Sequence, residues 1–183
     1  MGKFHEHMQP AHTEFIGRQK MFFVATAPLG RKGHINLSPK GLDSFRVLSP
    51  TLVAYLDIVG SGNETSAHIQ ENERITFMFC AFDGPPNILR LYGKGRTLLP
   101  QDQDWQEYAQ HFELPISTRQ IIIATIHKVQ TSCGYSVPLY AYTGERDHAE
   151  KWAQKKGIEG LELYKKEKNQ ESIDGLPTAL SLM

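Results

Sequence analysis

The chain has 183 residues, of which 40% are hydrophobic, and its 20 basic side chains equal its 20 acidic side chains in number. A chain of this length can bury a core without disulfides or metals, and a formal net charge of zero supplies no broad positive field for a phosphodiester backbone. We therefore expect one globular domain and exclude nucleic acid as a partner.

The cysteines and the N-terminus predict the compartment. Only Cys80 and Cys133 are present, and neither lies in a pattern typical of zinc ligands. The first residues, MGKFHEHMQP, lack the apolar core of a signal peptide, and no window approaches the roughly 18 apolar residues that a membrane helix needs. We expect a cytoplasmic protein with reduced thiols, no metal site and no membrane partner.

Six segments carry strand signals, and a short helix precedes them. His12–Lys20 places Phe15 and Ile16 among polar residues, which predicts a leading helix. Runs rich in β-branched and aromatic residues then predict strands at Met21–Thr26, Gly33–Ser38, Thr51–Val59, Arg74–Phe82, Ile88–Leu99 and Arg119–Ser132. Their close spacing leaves little room for parallel crossovers, so a small antiparallel barrel or sandwich is favoured.

Helical patterns lie between and after these strands. The predicted helices are Asn63–Glu71, Asp102–His111, Glu145–Lys156 and Gly160–Lys168. Ile121–Ile123 is apolar without alternation, so we expect a second copy of the chain to cover one of its faces. The prediction is a single domain over residues 1–183, with the barrel at about 20–132 and a helical C-terminal extension at about 140–183.

The most informative stretch is Gly60–Asn72, GSGNETSAHIQEN, in which two glycines precede hydroxyl and amide side chains and then a helix. Glycines let backbone N–H groups approach a ligand, and a helix N-terminus favours an anion. Ser61, Asn63 and Thr65 are therefore candidates for binding a phosphate. The alternative is a plain capped helix, because Ser61 and Glu64 have the spacing of a capping box.

Two further strands carry polar side chains on one face. In GHINLSPKG, alternation places Asn36 and Ser38 on the same face, and the turn that follows can direct Lys40 into a cleft. In ILRLYGKGR, Arg90 and Lys94 share a face, and an arginine amid apolar residues is costly to bury unless an anion meets it. The alternative for both segments is a solvated strand face opposite a core.

Together these segments resemble the pyridoxamine 5′-phosphate oxidase related family, the FMN-binding split barrels, over essentially the whole chain. The resemblance is carried by ATAPLGRKGHINLSPKG, YLDIVGSGNETSAHIQENERITFMF and ILRLYGKGR, and by SCGYSVP and KNQESIDGLP, which are typical of one branch. It implies a mainly β, α+β fold: a six-stranded antiparallel split barrel with flanking helices. It also implies a homodimer that binds FMN at the subunit interface.

The resemblance also implies which residues bind the cofactor. Asn36, Ser38 and Lys40 fall beside the isoalloxazine ring and ribityl chain, and Ser61, Asn63 and Thr65 fall at the phosphate. Oxidases of the family usually carry an Arg-Lys pair at the positions of about Glu64 and Thr65 in this chain. We therefore expect Arg90 or Lys94 to supply the cation for the phosphate.

The function that the resemblance implies is an FMN-dependent oxidoreductase that acts on a small-molecule substrate or electron acceptor. No side chain is assigned as catalytic, because the flavin carries the redox chemistry. The ending IDGLPTALSLM lacks the basic residues that hold the substrate in true pyridoxamine phosphate oxidases, so that substrate is not expected. The alternatives on the same barrel are a non-catalytic flavin or haem carrier or sensor, and a deazaflavin-dependent reductase.

Overall fold

The computed structural model describes residues 2–182, and within them the chain forms eight strands, four α-helices and a short 3₁₀ helix. The elements are β1 (Lys3–His5), α1 (Pro10–Arg18), β2 (Phe22–Thr26), β3 (Asn36–Lys40), β4 (Phe45–Ser49), β5 (Leu52–Ile58), α2 (Glu64–Asn72), β6 (Arg74–Cys80), β7 (Ile88–Leu98), α3 (Trp105–Ala109), β8 (Thr118–Ser132), α4 (His148–Lys168) and the 3₁₀ helix Ala179–Leu182.

The eight strands of the described residues belong to one antiparallel sheet. Its order is β3-β2-β6-β7-β8-β5-β4, and β1 pairs with β8 off this path. The sheet curls so that β2, next to one end, comes close to β4 at the other end: the ring centroids of Phe22 on β2 and Phe45 on β4 lie 4.9 Å apart. Both rings also pack against Phe77 and Phe79 of β6, inside the resulting barrel. Side-chain packing therefore holds this seam of the barrel together.

The predicted fold class is confirmed, but the count of six strands is two short. The strands that sequence patterns missed are β1, with only three residues, and β4, with five. Every residue of β4 is half-buried, so no alternation between buried and exposed positions marks this strand. Such alternation is the signal that identifies a strand with one buried face.

The apolar run Ile121–Ile123 does not need a second copy of the chain to cover it. Ile122 belongs to the barrel core, whereas Ile121 and Ile123 pack on the other face of β8 with Trp105 and Ala109 of α3. All three isoleucines are at most 3% exposed within one chain. The expectation drawn from this run is therefore wrong, because α3 covers the second face of the strand.

The C-terminal part of the chain returns to the barrel. Two helices were predicted after residue 140, and α4 contains both: they lie on either side of a kink at Gly157, whose φ of 67° is not helical. After α4 the chain turns back at a bridge between Glu171 and Pro177 and reaches α2, where the amide of Ala179 donates to Ser66 Oγ at 3.0 Å. Among residues 2–182, no helix is both long and apolar enough to cross a membrane.

Candidate cofactor site

A cavity of about 270 Å³ lies where the end of β5 and the loop 59–63 meet β3, β8 and the first turn of α2. Six of the eight residues predicted for the site line this cavity together: Asn36, Ser38, Lys40, Ser61, Asn63 and Thr65. Three charged residues that the sequence reasoning did not select as ligands, Asp57, Glu64 and Arg119, line it as well. The cavity therefore brings together the two motifs that were predicted separately.

The floor of the cavity is a buried ionic cluster centred on Asp57. Its carboxylate accepts hydrogen bonds from Lys40 Nζ at 2.8 Å, from Arg119 Nη2 at 2.6 Å and from Gln120 Nε2 at 2.8 Å. The side chains of Asp57 and Arg119 are each only 3% exposed. Two cations thus share one carboxylate, and the cluster itself keeps one unit of positive charge.

Asp57 stays ionised in spite of its burial. Burial raises the pKa of this carboxyl, but the opposing attraction of Arg119 and then Lys40 outweighs it, so the pKa lies well below its ordinary value. The carboxylate therefore orients its two cations at neutral pH and does not exchange protons there.

The first turn of α2 points toward the same cavity without a side-chain cap. The helix begins at Glu64, and its N-cap residue Asn63 makes no capping hydrogen bond. The Asn63 side chain is engaged elsewhere: Oδ1 accepts from Gln120 Nε2 at 2.8 Å, and Nδ2 donates to the carbonyl of Asn169 at 3.2 Å. The capping-box alternative, with Ser61 as N-cap, is wrong, and the partial positive charge of this helix end faces the cavity together with the carboxylate of Glu64 in its first turn.

A second set of hydrogen bonds ties β3 to α2 across the cavity. Asn36 Nδ2 donates to Thr26 Oγ1 at 3.2 Å and to Thr65 Oγ1 at 3.1 Å. Thr26 Oγ1 in turn lies 3.0 Å from Nδ1 of the fully buried His68. These contacts fix the distance between the polar face of β3 and the first turn of the helix.

Arg90 and Lys94 are not brought to this cavity. Both lie on the face of β7 opposite Leu89 and Leu91, whose side chains are in the core. Arg90 Nη1 donates to Ser132 Oγ at 3.2 Å, and the exposed Lys94 pairs with Glu73 at 2.9 Å. Within one chain, the contacts of Arg90 and Lys94 fit the alternative of a solvated strand face opposite a core. The cations that line the cavity are Lys40 and Arg119.

Asp57 and Arg119 could have been found from the sequence. Asp57 interrupts the apolar strand YLDIV, and Arg119 stands two residues before the apolar stretch of β8, which begins at Ile121. A charge within a buried strand requires a partner, so each residue signals that an opposite charge lies nearby. The pattern does not say which partner, because the two positions are 62 residues apart in the chain.

Two larger cavities adjoin the first. One of about 680 Å³ shares Lys40, Asp57, Ile58 and Gly60 with it, and another of about 630 Å³ shares Asn36, Ser61, Gly62 and Glu64. The three adjoin as one groove along β3, and each of the two larger cavities has a size that is ordinary for small-molecule and cofactor sites.

Comparison with known proteins identifies the family. Residues 8–133 match the family model of pyridoxamine 5′-phosphate oxidase. The chain belongs to this family. The ustO protein of Aspergillus flavus, a pyridoxamine 5′-phosphate oxidase family protein, is 40% identical over 197 residues, and the alignment covers 98% of this chain and 79% of ustO.

Solved structures support the fold assignment. HupZ of Group A Streptococcus superposes with a TM-score of 0.54 at 18% identity, over 68% of this chain and 98% of that structure. A Lactobacillus delbrueckii protein provisionally assigned as a pyridoxamine 5′-phosphate oxidase superposes with a TM-score of 0.52 at 12% identity, over 68% of this chain and 94% of that one. At these identities the likeness concerns the fold alone, and the expected family membership and split-barrel class are both confirmed.

Proposed function

We propose that the chain is an FMN-binding oxidoreductase that holds the cofactor in the groove beside β3. The observation that carries the proposal is the pairing of an uncapped α2 N-terminus with a buried cluster that keeps one positive charge, both at one cavity. A dianionic phosphate ester is suited to such a site, because helix N-terminal N–H groups and a lysine stabilise its charge together.

The types of residue that line the groove, and their order along it, fit the phosphate, ribityl chain and ring of FMN. Ser61, Thr65 and the first turn of α2 would hold the phosphate, with Lys40 as the cation that is partly open to the cavity at 25% side-chain exposure. Asn36 and Ser38, farther along the same groove, would bind the ribityl chain and the ring. Arg119 is too enclosed to be a primary ligand and would act through Asp57 and the loop 59–63.

The bound flavin would supply the electron transfer. The chain would bind the cofactor, orient it and keep water from one side of the groove. The cavity of about 680 Å³ next to Lys40 offers space for a small-molecule substrate or electron acceptor.

The same site argues against the deazaflavin alternative. The groove beyond the first turn of α2 is lined by Glu64 and Glu171 as well as by Lys168. A cofactor with a long anionic tail would meet these carboxylates, and the repulsion would weaken its binding. FMN, which ends in a single phosphate, would meet Glu64, which also lines the first cavity, but not Glu171.

We further propose that the functional form is a homodimer. The connection from Cys133 to Asp147 contains no helix or strand, and it exposes Tyr135, Leu139, Tyr140 and Tyr142 by 54% to 82%. Ile35 and Leu37, next to the cofactor groove, are 77% and 62% exposed. Exposed apolar side chains in such number favour a protein partner, and a second copy of the chain would complete the groove.

The test of cofactor binding is direct. The protein, purified and stripped of small molecules, is titrated with FMN while the flavin fluorescence is recorded. We expect saturable quenching, and a flavin absorption spectrum that dithionite bleaches and air restores. Absence of binding at micromolar FMN would refute the proposal.

A non-catalytic flavin carrier is separated from an oxidoreductase by turnover. The loaded protein is mixed with NADH or NADPH and a panel of acceptors, and the rate of flavin reduction is compared with that of free FMN. Reduction faster than with free FMN supports the enzyme, whereas equal rates across the panel favour the carrier.

A further inference from the structure

We propose that Asn169, at the start of the C-terminal segment 169–178, is a positioning residue for the phosphate-binding loop 60–63. The inference rests on the proposed function and adds to it a role for the C-terminal segment. The segment would act as the outer support of the cofactor site, although it follows the barrel by almost forty residues in the sequence.

Asn169 is fully buried and joins the loop at two points. Its Nδ2 donates to the carbonyl of Gly60 at 2.9 Å, and its own carbonyl accepts from Asn63 Nδ2 at 3.2 Å. The two contacts lie at opposite ends of the loop, so Asn169 spans the stretch that contains Ser61.

The loop has little packing of its own. A Cβ atom placed on Gly60 would meet nothing within 4 Å, and Ser61 is exposed. From the barrel side, Arg119 Nη1 donates to the carbonyl of Gly62 at 2.8 Å. The loop is thus held between Arg119 on one side and Asn169 on the other, by hydrogen bonds more than by apolar contacts.

Asn169 is itself held in place by the segment that follows it. Thr178 Oγ1 donates to the Asn169 carbonyl at 2.8 Å. Farther along, the amide of Ile173 donates to the Glu64 carboxylate at 3.1 Å, and the side chains of Asp174 and His34 lie 2.7 Å apart. The segment is therefore bound to α2 and to the irregular chain that leads into β3, which both border the cofactor groove.

This arrangement predicts an effect that depends on the phosphate. If Asn169 sets the position of the loop 60–63, its loss weakens binding of the phosphate and leaves binding of the ring and ribityl chain largely unchanged. Riboflavin has the same ring and chain as FMN but no phosphate, so the ratio of the two affinities reports on the loop alone. A merely structural role would lower both affinities together.

The experiment measures dissociation constants for FMN and riboflavin in the unsubstituted chain, in Asn169→Ala and in Asn72→Ala. Asn72→Ala is the matched control, because it makes the same substitution and removes a side-chain hydrogen bond to a backbone carbonyl, that of Ala27 at 2.9 Å, at the far end of α2 from the loop 60–63. We expect Asn169→Ala to weaken FMN binding about tenfold and riboflavin binding less than about twofold, as the loss of one well-placed hydrogen bond allows. Asn72→Ala should leave the ratio of the two affinities unchanged.

The outcomes separate the inference from the function on which it rests. Equal changes for FMN and riboflavin in Asn169→Ala, or no change in either, overturn the inference while leaving flavin binding intact. A wild-type protein that binds neither flavin refutes the proposed function and the inference with it. Should Asn169→Ala not fold, Asn169→Ser, which keeps a small polar side chain but cannot reach Gly60 in the same way, is judged by the same ratio.

Discussion

At the scale of single residues, the candidate site is governed by a competition between burial and charge. Burial raises the pKa of Asp57, but Arg119 and Lys40 lower it by more and keep the carboxyl ionised, and the carboxylate in turn aligns both cations. Lys40 differs from Arg119 in that a quarter of its side chain is open to solvent. Lys40 is therefore the member of the cluster that can meet a ligand.

The first prediction concerns the choice of cation. Lys40→Met should weaken FMN binding by about 1.5 to 3 kcal/mol, the range for a hydrogen bond to a charged group. Lys94→Met makes the same change of charge at an exposed position outside the cavity and should leave the affinity unchanged. Fluorescence titration with FMN measures the affinity of both variants. Equal losses of FMN affinity would contradict Lys40 as the cation that binds the phosphate and would favour the cations on the face of β7.

The second prediction is a dependence of stability on pH that arises at Asp57. The pKa of this carboxyl is lower in the folded than in the unfolded chain, so the unfolded chain takes up protons first as the pH falls. The contribution of Asp57 to the free energy of unfolding is complete at neutral pH. It is lost progressively below about pH 4, which is the ordinary pKa of an aspartate in an unfolded chain. Urea unfolding between pH 7 and pH 2 should show this loss.

A variant tests the same cluster at neutral pH. Asp57→Ala leaves Arg119 buried without its carboxylate and should cost about 3 to 5 kcal/mol of unfolding free energy. Glu14→Ala, which breaks the exposed pair with Arg18, should cost less than about 1 kcal/mol. Similar losses in the two variants would contradict a buried, energetically important Asp57.

At the scale of elements, the long pairing of β7 with β8 positions the rest of the barrel. Its register shifts between Tyr92 and Gly93, where the backbones approach closely. A Cβ atom at Gly93 would lie 2.6 Å from the carbonyl oxygen of Thr125 and 2.9 Å from Cδ1 of Ile126. The irregularity therefore depends on a residue without a side chain.

The prediction at this scale is that Gly93→Ala lowers the unfolding free energy by about 1 to 3 kcal/mol, as overpacking does elsewhere. Gly17→Ala is the matched control, because a Cβ atom there meets nothing within 4 Å and alanine is the better helix former. Urea unfolding should show a loss only for Gly93→Ala. An unchanged stability would mean that β8 moves to accommodate the methyl group.

At the scale of the whole molecule, the surface that one copy leaves uncovered supports the proposed dimer. Light scattering should give about twice 20.7 kDa. Leu139→Asp places a charge on the exposed connection before α4 and should yield monomers, whereas Ile158→Asp on α4, at almost the same exposure, should not. A wild-type mass near 20.7 kDa would contradict the dimer.

The sequence by itself determined six of the eight strand segments and the polar face formed by Asn36, Ser38 and Lys40. It also determined the glycine loop before α2, because each of these depends on neighbours within a few residues. Only the tertiary structure decided which charges line the cavity. Alternation shows which face of a strand Arg90 and Lys94 occupy but not which strands meet, so local reasoning selected these two, whereas the cations at the cavity are Lys40 and Arg119. The same holds for Asn169, since its contact with Gly60 joins positions 109 residues apart. Hydrogen bonds at that separation are set by how the sheet curls and where the chain returns, and no local pattern records either.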